Sequence, residues 1–326
     1  MKKHILLLSF IICSLGASAQ NRKYIGNFSQ VRQYYNPALT GQEGSRLTTL
    51  YRNQWTGFED APTTLAASAE LQLSDFTASK GYRFSSEHTD RKPVQHGIGM
   101  FLLRDSFGPY SETQANLSYS SGVNLSESLL LRWGTALTYT ALSLDGNKLT
   151  IDRQDDPKYS NLLGQKNRSG KLDLNLGLTL AADNFYVGYS LQNITQGKLI
   201  ATSDEFNEAF FGRRHVALAG ARAHLNQSID LVLNSLYQHD AENGSTIEGQ
   251  LKAVYQNTFW VGAGYRNKLA YSATAGLSLG RLGVSYLYEA GVADAATIAR
   301  STNELSLSYH LKPRGNTLRQ KTGRIW

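Results

Sequence analysis

Residues 171–180 read KLDLNLGLTL, with leucine at every second position and polar residues or glycine between the leucines. Because successive side chains of a β-strand point to opposite sides, this segment has one apolar face and one hydrated face. The same alternation recurs from about residue 48 to the end of the chain. An ordinary soluble sheet also alternates, but here the repetition comes with an export signal and with alternating long and short connections, which together indicate strands that face lipid on one side and water on the other.

The first nineteen residues predict a signal peptide. Lys2 and Lys3 form its basic start, residues 5–15 are apolar, and residues 17–19 form a small-residue cleavage site. The only cysteine, Cys13, lies in the apolar region, so the processed chain would contain no disulfide. Lipid attachment to Cys13 would need a small residue before it, but Ile12 stands there. We therefore expect export to the outer membrane.

The composition agrees with a barrel rather than with membrane helices. The chain has 326 residues, a formal net charge of +7 and 41% hydrophobic residues. After the N-terminus, no apolar run approaches the roughly 20 residues that a membrane helix needs. Barrel strands need fewer apolar residues, because only alternate side chains meet lipid. The positive charge is dispersed, and together with the export signal this argues against nucleic-acid binding.

The alternating pattern predicts an all-β protein, a transmembrane antiparallel up-and-down β-barrel of about 14 strands. The predicted strands are residues 47–55, 63–73, 96–105, 112–124, 128–144, 171–182, 184–193, 213–225, 228–240, 246–256, 258–266, 269–279, 281–290 and 303–311. The corresponding domains are a signal peptide (1–19), a segment at the periplasmic mouth (20–46), the barrel (47–311) and a basic periplasmic tail (312–326).

The connections between predicted strands alternate in length. Tight turns mostly follow the even-numbered strands, while the long polar loops 145–170, 194–212 and 291–302 follow odd-numbered ones. This pattern predicts periplasmic turns and external loops. The exception is the polar stretch 74–95 after the second strand, which is either a large periplasmic insertion or a sign of a miscounted strand.

The strand pattern also assigns side chains to the lumen. In the sixth predicted strand, the leucines should face lipid, and Lys171, Asp173, Asn175 and Thr179 should face inward. The charged residues on the predicted inner face are Arg132, Lys171, Asp173, Asp230, Arg266, Glu289 and Glu304. In a sealed barrel these charges would pair across the interior, whereas in an open barrel they would tune ion passage. The sequence leaves both alternatives open.

Two segments near the N-terminus carry a family resemblance. Residues 27–41 read NFSQVRQYYNPALTG, residues 51–55 read YRNQW, and residues 61–63 read APT. They resemble the F-S-Q…N-P-A-x-x-G and Y-R-x-Q-W…A-P-x-T motifs of the PorP/SprF family, although the spacer after Gln30 is shorter here. The matching candidate site residues are Phe28, Ser29, Gln30, Asn36, Pro37, Ala38, Gly41, Tyr51, Arg52, Gln54, Trp55, Ala61, Pro62 and Thr63.

The resemblance implies a non-enzymatic outer-membrane component of the Bacteroidota type IX secretion system. Such a protein would support secretion or surface attachment of a cognate exported protein such as an adhesin, with a link to gliding motility. Its partners would be outer-membrane lipid, that exported protein and other secretion components. The alternative function is a diffusion channel, or porin, for small solutes.

The motif residues allow two interpretations. The segment 27–41 is too short and too interrupted by proline to form a strand, so we expect it to cap or enter the periplasmic mouth. The residues would then close the barrel and fix its N-terminal end. Alternatively, they contact a secretion partner directly.

The sequence gives little support for catalysis or for a metal. It contains no G-x-S-x-G, H-E-x-x-H or phosphate-loop motif, and none of its seven histidines pairs with another at ligand spacing. The acidic residues Asp152, Asp155 and Asp156 alternate with basic ones, which fits a solvated loop better than a calcium site. We therefore predict no enzyme activity, no cofactor and no catalytic or metal-binding residue.

The end of the chain is basic. After Leu311 it carries five lysines or arginines and no acidic residue: Lys312, Arg314, Arg319, Lys321 and Arg324. This tail is either simply solvated or a docking arm for an acidic partner.

Overall fold

The computed structural model describes residues 24–77, 94–148, 166–197, 200–201, 212–241, 244–292, 296 and 300–312. Its strands are β1 Arg46–Asn53, β2 Thr63–Gln72, β3 Gln95–Phe107, β4 Tyr110–Asn124, β5 Leu130–Asp145, β6 Lys166–Ala181, β7 Phe185–Gln192, β8 Ile200–Ala201, β9 Arg214–His224, β10 Ile229–Asp240, β11 Gly244–Tyr255, β12 Phe259–Arg266, β13 Ala270–Leu279, β14 Leu282–Gly291 and β15 Ser301–His310. Short helical turns are Phe28–Gln30, Arg32–Tyr35, Pro37–Leu39, Ser74–Thr77 and Gly146–Lys148.

Within these ranges, every strand except β8 belongs to one closed antiparallel barrel of fourteen strands. Consecutive barrel strands are hydrogen-bonded neighbours, and the barrel closes where β1 pairs with β15, from Arg46 opposite His310 to Asn53 opposite Asn303. The two-residue β8 lies beside β6, and β7 pairs directly with β9. The predicted fold class is confirmed, and β8 is the one short strand that the pattern did not predict.

The predicted strand boundaries differ most at β6. It begins at Lys166 rather than at residue 171, because its polar first residues pair with β5; Gly170, for example, lies opposite Ala141. The polar stretch 74–95 begins with a helical turn. The strand before it, β2, pairs with β1 along one edge and with β3 along the other. This leaves no place between them for a further barrel strand, so the strand before this stretch was not miscounted.

Several predictions fall on other parts of the chain. The signal peptide, residues 20–23 and 78–93, and the tail beyond Lys312 lie outside the described residues. So do most of the long loops, including Asp152, Asp155 and Asp156. The assignments of these segments stay predictions.

The two ends of the barrel differ in their connections. We call the end where β1 begins and β15 ends the terminal end, and the opposite end the loop end. The tight turns predicted after even-numbered strands lie at the terminal end, whereas the short connections 108–109 and 267–269 lie at the loop end. Asn257 and Gly280, with φ angles of 55° and 60°, adopt the left-handed conformation that short hairpin turns require.

The outer surface is an apolar belt, as the alternation predicts. In β6, Leu178 is 56% exposed, whereas the next residue, Thr179, is 1% exposed and faces the interior. The same contrast follows the other strands, and it confirms the predicted lipid-facing ladder. None of the helices in the described ranges is long and apolar enough to cross a membrane.

The hydrophobic core lies inside the barrel. Apolar residues of the segment before β1 pack against inward-facing apolar residues of the wall, among them Phe101, Val232 and Trp260. A water-filled lumen would place polar side chains at such positions. The interior is therefore packed around a segment of the chain itself.

Candidate functional site

Residues 24–45, which we call the plug, occupy the lumen. Every residue from Ile25 to Gln42 is buried. We expected this segment to cap or enter the mouth of the barrel; it lies inside the barrel and contacts the inner faces of strands around its circumference. The plug pairs with no strand, so its backbone polar groups are satisfied partly within its own helical turns, as where the Asn36 N–H donates to the Arg32 carbonyl, and partly by side chains of the wall.

The plug extends from one end of the barrel to the other. Tyr24 lies at the loop end, where its hydroxyl is 3.2 Å from Thr246 Oγ1 and the Arg266 guanidinium lies 4.5 Å from its ring centre. Ser45 lies at the terminal end and donates its N–H and hydroxyl to the Asp75 carboxylate, at 3.0 and 2.8 Å. The intervening residues therefore cross the full height of the lumen.

The plug turns at Asn36 because of a local capping contact. The Asn36 side chain accepts the Ala38 N–H at 2.9 Å, and Pro37 begins the 3-10 turn that follows. This geometry fits the known preference for Asn before a helical turn and for Pro at its first position. The Asn36 amide also donates to the Leu178 carbonyl and to Thr179 Oγ1, both at 3.1 Å, which anchors the turn to β6.

An arginine–glutamate cluster holds the first half of the plug. Its members are Arg52, Glu248, Arg266, Glu289 and Glu304. Arg52 contacts Glu289 at 2.9 Å and Glu304 at 3.3 Å. Arg266 contacts Glu248 at 2.8 Å and Glu289 at 3.2 Å. Charges buried this deeply must be paired, and the cluster pairs them in a chain across several strands.

The cluster reaches the plug through Glu304. Its two carboxylate oxygens accept the N–H groups of Gly26 and Asn27, each at 2.8 Å. Lys252 adds a second contact, donating to Asn27 Oδ1 at 3.1 Å and to Ser29 Oγ at 2.8 Å. Charge-assisted bonds of this kind are stronger than neutral ones. The first half of the plug is thus fixed by buried charges.

Arg132 holds the second half of the plug. Its guanidinium donates to the carbonyl oxygens of Ala38 and Thr40, each at 2.8 Å, and to Ser120 Oγ at 2.7 Å. The Thr40 hydroxyl donates to Ser118 Oγ at 2.9 Å. These wall residues bind mostly backbone atoms of the plug.

A third set of contacts joins the plug to β2 and to the start of β1. Glu70 accepts the Gly41 N–H at 2.9 Å and pairs with Arg46 at the same distance. Arg46 also pairs with Glu43 at 2.9 Å, and Arg32 contacts the other oxygen of Glu43. The plug is therefore continuous with the first barrel strand through paired charges.

Gly41 has a clear structural reason to be glycine. Its φ angle is +67°, and a Cβ atom there would lie 3.2 Å from Gly97 Cα and from the Leu71 carbonyl oxygen. A side chain would strain the backbone and press against two strands at once.

The structure buries the whole first half of the candidate motif in the plug. These residues are Phe28, Ser29, Gln30, Asn36, Pro37, Ala38 and Gly41. Phe28 is 0% exposed and packs edge-on against Tyr35, with ring centres 6.4 Å apart. In this conformation these residues face the barrel wall, as the packing interpretation expects.

The second half of the motif lies at the loop end of β1 and β2. Arg52 faces inward and joins the arginine–glutamate cluster, whereas Tyr51 faces outward and is 48% exposed. Gln54 follows the end of β1, and its N–H donates to the Pro62 carbonyl at 2.9 Å. Ala61 precedes Pro62 in the same loop. Thr63 is the first residue of β2 and lies opposite Asn53. Arg52 and Pro62 are thus the buried motif residues of this half, and Arg52 joins the charges that hold the plug.

Trp55 anchors the loop between β1 and β2. Its φ angle is 55°, and its ring packs edge-on against Phe58 and Phe107, with centres 6.5 and 5.7 Å apart. Of the two roles that a tryptophan at a strand end can take, girdle residue or loop anchor, the contacts fit the second.

All seven predicted lumenal charges are buried on the inner face, which confirms their assignment. Asp173, for example, accepts the N–H groups of Thr195 and Gly197 at 2.9 and 2.8 Å and so fastens the segment after β7. At the terminal end, Asp230 accepts from Arg222 Nε at 3.0 Å and contacts His224. This arrangement corresponds to the sealed alternative, in which interior charges pair.

Sequence reasoning missed several interior residues that hold the plug. Glu70, Glu248 and Lys252 occupy inward positions of the same alternation that assigned the other charges, so the pattern itself could have found them. Gln192, which donates to the Tyr34 and Tyr35 carbonyls at 2.8 and 2.9 Å, offered no comparable signal because amides are common at strand ends.

A closed antiparallel barrel with an apolar outer belt and a filled lumen defines an integral membrane β-barrel protein. The model of the family described as type IX secretion system membrane protein PorP/SprF matches residues 17–309, and the chain belongs to this family. The fold and the family together point to the outer membrane and to association with other secretion components.

Solved barrel structures share the general architecture at low identity. The Acinetobacter baumannii outer membrane protein Omp33 is 8% identical, with a TM-score of 0.43, over 82% of this chain and 96% of that one. The Pseudomonas putida toluene transporter TodX is 10% identical, with a TM-score of 0.46, over 89% and 94%. A Pseudomonas aeruginosa FadL homologue is 9% identical, with a TM-score of 0.44, over 82% and 90%. No curated protein matches the chain.

Proposed function

We propose that this barrel supports secretion or surface attachment of a cognate exported protein, such as an adhesin, through protein contacts at its loop end. Family membership supports the secretion role. The observation that carries the mechanism is the plug, because Ile25 to Gln42 are buried where a transported solute would pass. The surfaces left for a partner are the ends of the barrel.

The loop end offers the better surface among the described residues. The loop between β1 and β2 is held by Trp55 and presents Phe58, which is 55% exposed, while Tyr110 at the start of β4 is 52% exposed. Exposed aromatic side chains on a fixed loop are common anchors of protein interfaces. We propose that Tyr51, Gln54, Trp55, Pro62 and Thr63 shape this contact surface together with the long loops 145–170 and 194–212.

The two halves of the motif would then have different roles. The first half, from Phe28 to Gly41, would hold the plug in the lumen and would not contact the exported protein directly. Links to gliding motility depend on which protein is exported. The diffusion-channel alternative requires the plug to leave the lumen and has no observation in its favour within the described residues.

Deletion of the gene should retain one exported protein inside the cell. Cells that produce the unaltered chain should restore that protein to the surface, and so should Leu279→Ala, an exposed substitution at the terminal end. Cells that produce Trp55→Ala with Phe58→Ala should assemble the barrel but restore less of the protein, because the anchored loop is lost. Mass spectrometry of peptides shaved from intact cells measures the outcome. An unchanged set of surface proteins in the deletion strain would contradict the proposal.

A further inference from the structure

We infer that His215 and His239 form a binding site for a divalent transition-metal ion of the zinc, nickel and copper class, on the outer wall at the loop end. The two residues lie directly opposite each other on β9 and β10. Their neighbours Val216 and Gln238 are 1% and 2% exposed and face the interior, so both histidines face outward. Their ring centres are 6.2 Å apart, with planes inclined by 38°.

Both imidazoles are held through the same nitrogen. His215 Nδ1 lies 2.6 Å from the Tyr189 hydroxyl, and His239 Nδ1 lies 3.0 Å from Ser245 Oγ. When a histidine donates its Nδ1–H to such a partner, Nε2 carries the lone pair that binds a metal. Metal-binding histidines nearly always have their second nitrogen oriented by a hydrogen bond in this way. The pair therefore presents two oriented Nε2 atoms on neighbouring strands.

The rings are close enough to share one ion after a small movement. With zinc–nitrogen distances near 2.0–2.1 Å, two imidazoles bound to the same ion have ring centres about 6.3 Å apart when the nitrogen–zinc–nitrogen angle is linear and about 5.2 Å apart when it is tetrahedral. The observed 6.2 Å lies near the linear limit, so the side chains would rotate and bring the ring centres about 1 Å closer to bind a tetrahedral ion. Imidazole ligands favour zinc, copper and nickel over magnesium and calcium, which prefer oxygen.

The ion would link two strands with a partly hydrated coordination sphere. In the described ranges, no group of three or more His, Cys, Asp or Glu side chains is arranged to hold a metal. The protein would thus supply two ligands, and water would supply the rest at the edge of the apolar belt. Local sequence patterns do not predict this pair, because only the strand register brings the two histidines together.

Titration of the purified full-length chain with ZnCl₂, in detergent and without a histidine tag, tests the inference by calorimetry. We expect one site that is lost in His215→Gln and in His239→Gln. Tyr189→Phe should weaken it by roughly tenfold or more, since it removes the orienting hydroxyl. The matched control is His96→Gln: His96 has a similar 2.8 Å contact to the Tyr119 hydroxyl, but its cross-strand partner is Ser121. This variant should bind zinc as the unaltered chain does.

A second readout separates metal binding from misfolding. Zinc should raise the unfolding midpoint of the unaltered chain and of His96→Gln, because an ion that binds only the folded state stabilises it. The same ion should leave the midpoint of the His215→Gln/His239→Gln variant unchanged. Equal zinc binding by this double variant and by the unaltered chain would overturn the inference, as would no binding by the unaltered chain.

Discussion

Replacement of residues 24–45 by a Gly/Ser linker of equal length is expected to turn a closed barrel into an ion-conducting one. The plug fills the lumen from Tyr24 at the loop end to Ser45 at the terminal end. A fourteen-strand barrel is wider than the eight-strand barrels that side chains alone can fill. Planar bilayer recordings should therefore show almost no conductance for the unaltered chain and steady, pore-like conductance for the linker variant.

The controls must show that conductance comes from the lumen. Heat-dependent migration on gels should establish that the linker variant is a folded barrel before its currents are recorded. Tyr51→Ala, a change on the outer face of β1, should stay as silent as the unaltered chain. Equal conductance of the unaltered chain and the linker variant would show that the plug does not close the barrel.

Arg52→Met is expected to lower the free energy of unfolding by about 3–5 kcal/mol, the usual cost of removing one partner of a buried ion pair. The Arg52 side chain is 1% exposed and lies between Glu289 and Glu304. Its loss would leave Glu304, which also binds the plug backbone, without its cationic partner. Urea unfolding in detergent, followed by tryptophan fluorescence, measures the change.

A matched substitution at an exposed arginine shows whether the loss of stability comes from breaking the buried ion pairs or from removing any arginine. Arg104 on β3 is exposed, so Arg104→Met should change stability by no more than about 0.5 kcal/mol. If Arg52→Met were as mild as Arg104→Met, the arginine–glutamate cluster would not stabilise the barrel in the way described.

The barrel and its faces could be predicted because they depend on local alternation. The leucines of residues 171–180 assign both faces of β6 without reference to any other part of the chain. The count of strands and the positions of the tight turns follow in the same way. The observed start of β6 at Lys166 differs from the predicted start at residue 171, because pairing with β5 extends the strand beyond its apolar residues.

The plug was harder to predict because its contacts are distant in sequence. Arg52 and Glu304 are separated by 252 positions, and nothing in either local pattern links them. Two signals were nevertheless present. Residues 100–103 read MFLL, which puts Phe101 and Leu103 on the inner face, where an aqueous lumen would have polar residues. Inward glycines such as Gly134 and Gly177 lie where a Cβ atom would clash with Pro37 or Asn36.

The central claim, that the N-terminal segment lies in the lumen, can be tested by a disulfide in the Cys13→Ser background. The hydroxyl oxygens of Thr40 and Ser118 are 2.9 Å apart, so Thr40→Cys with Ser118→Cys should form a disulfide readily. Thr40→Cys with Leu117→Cys is the matched control, because Leu117 is 59% exposed on the outer face. Gel mobility of the folded barrel with and without reductant should show the crosslink in the first pair only. Absence of the crosslink in the first pair, or its equal formation in both, would contradict the plugged barrel.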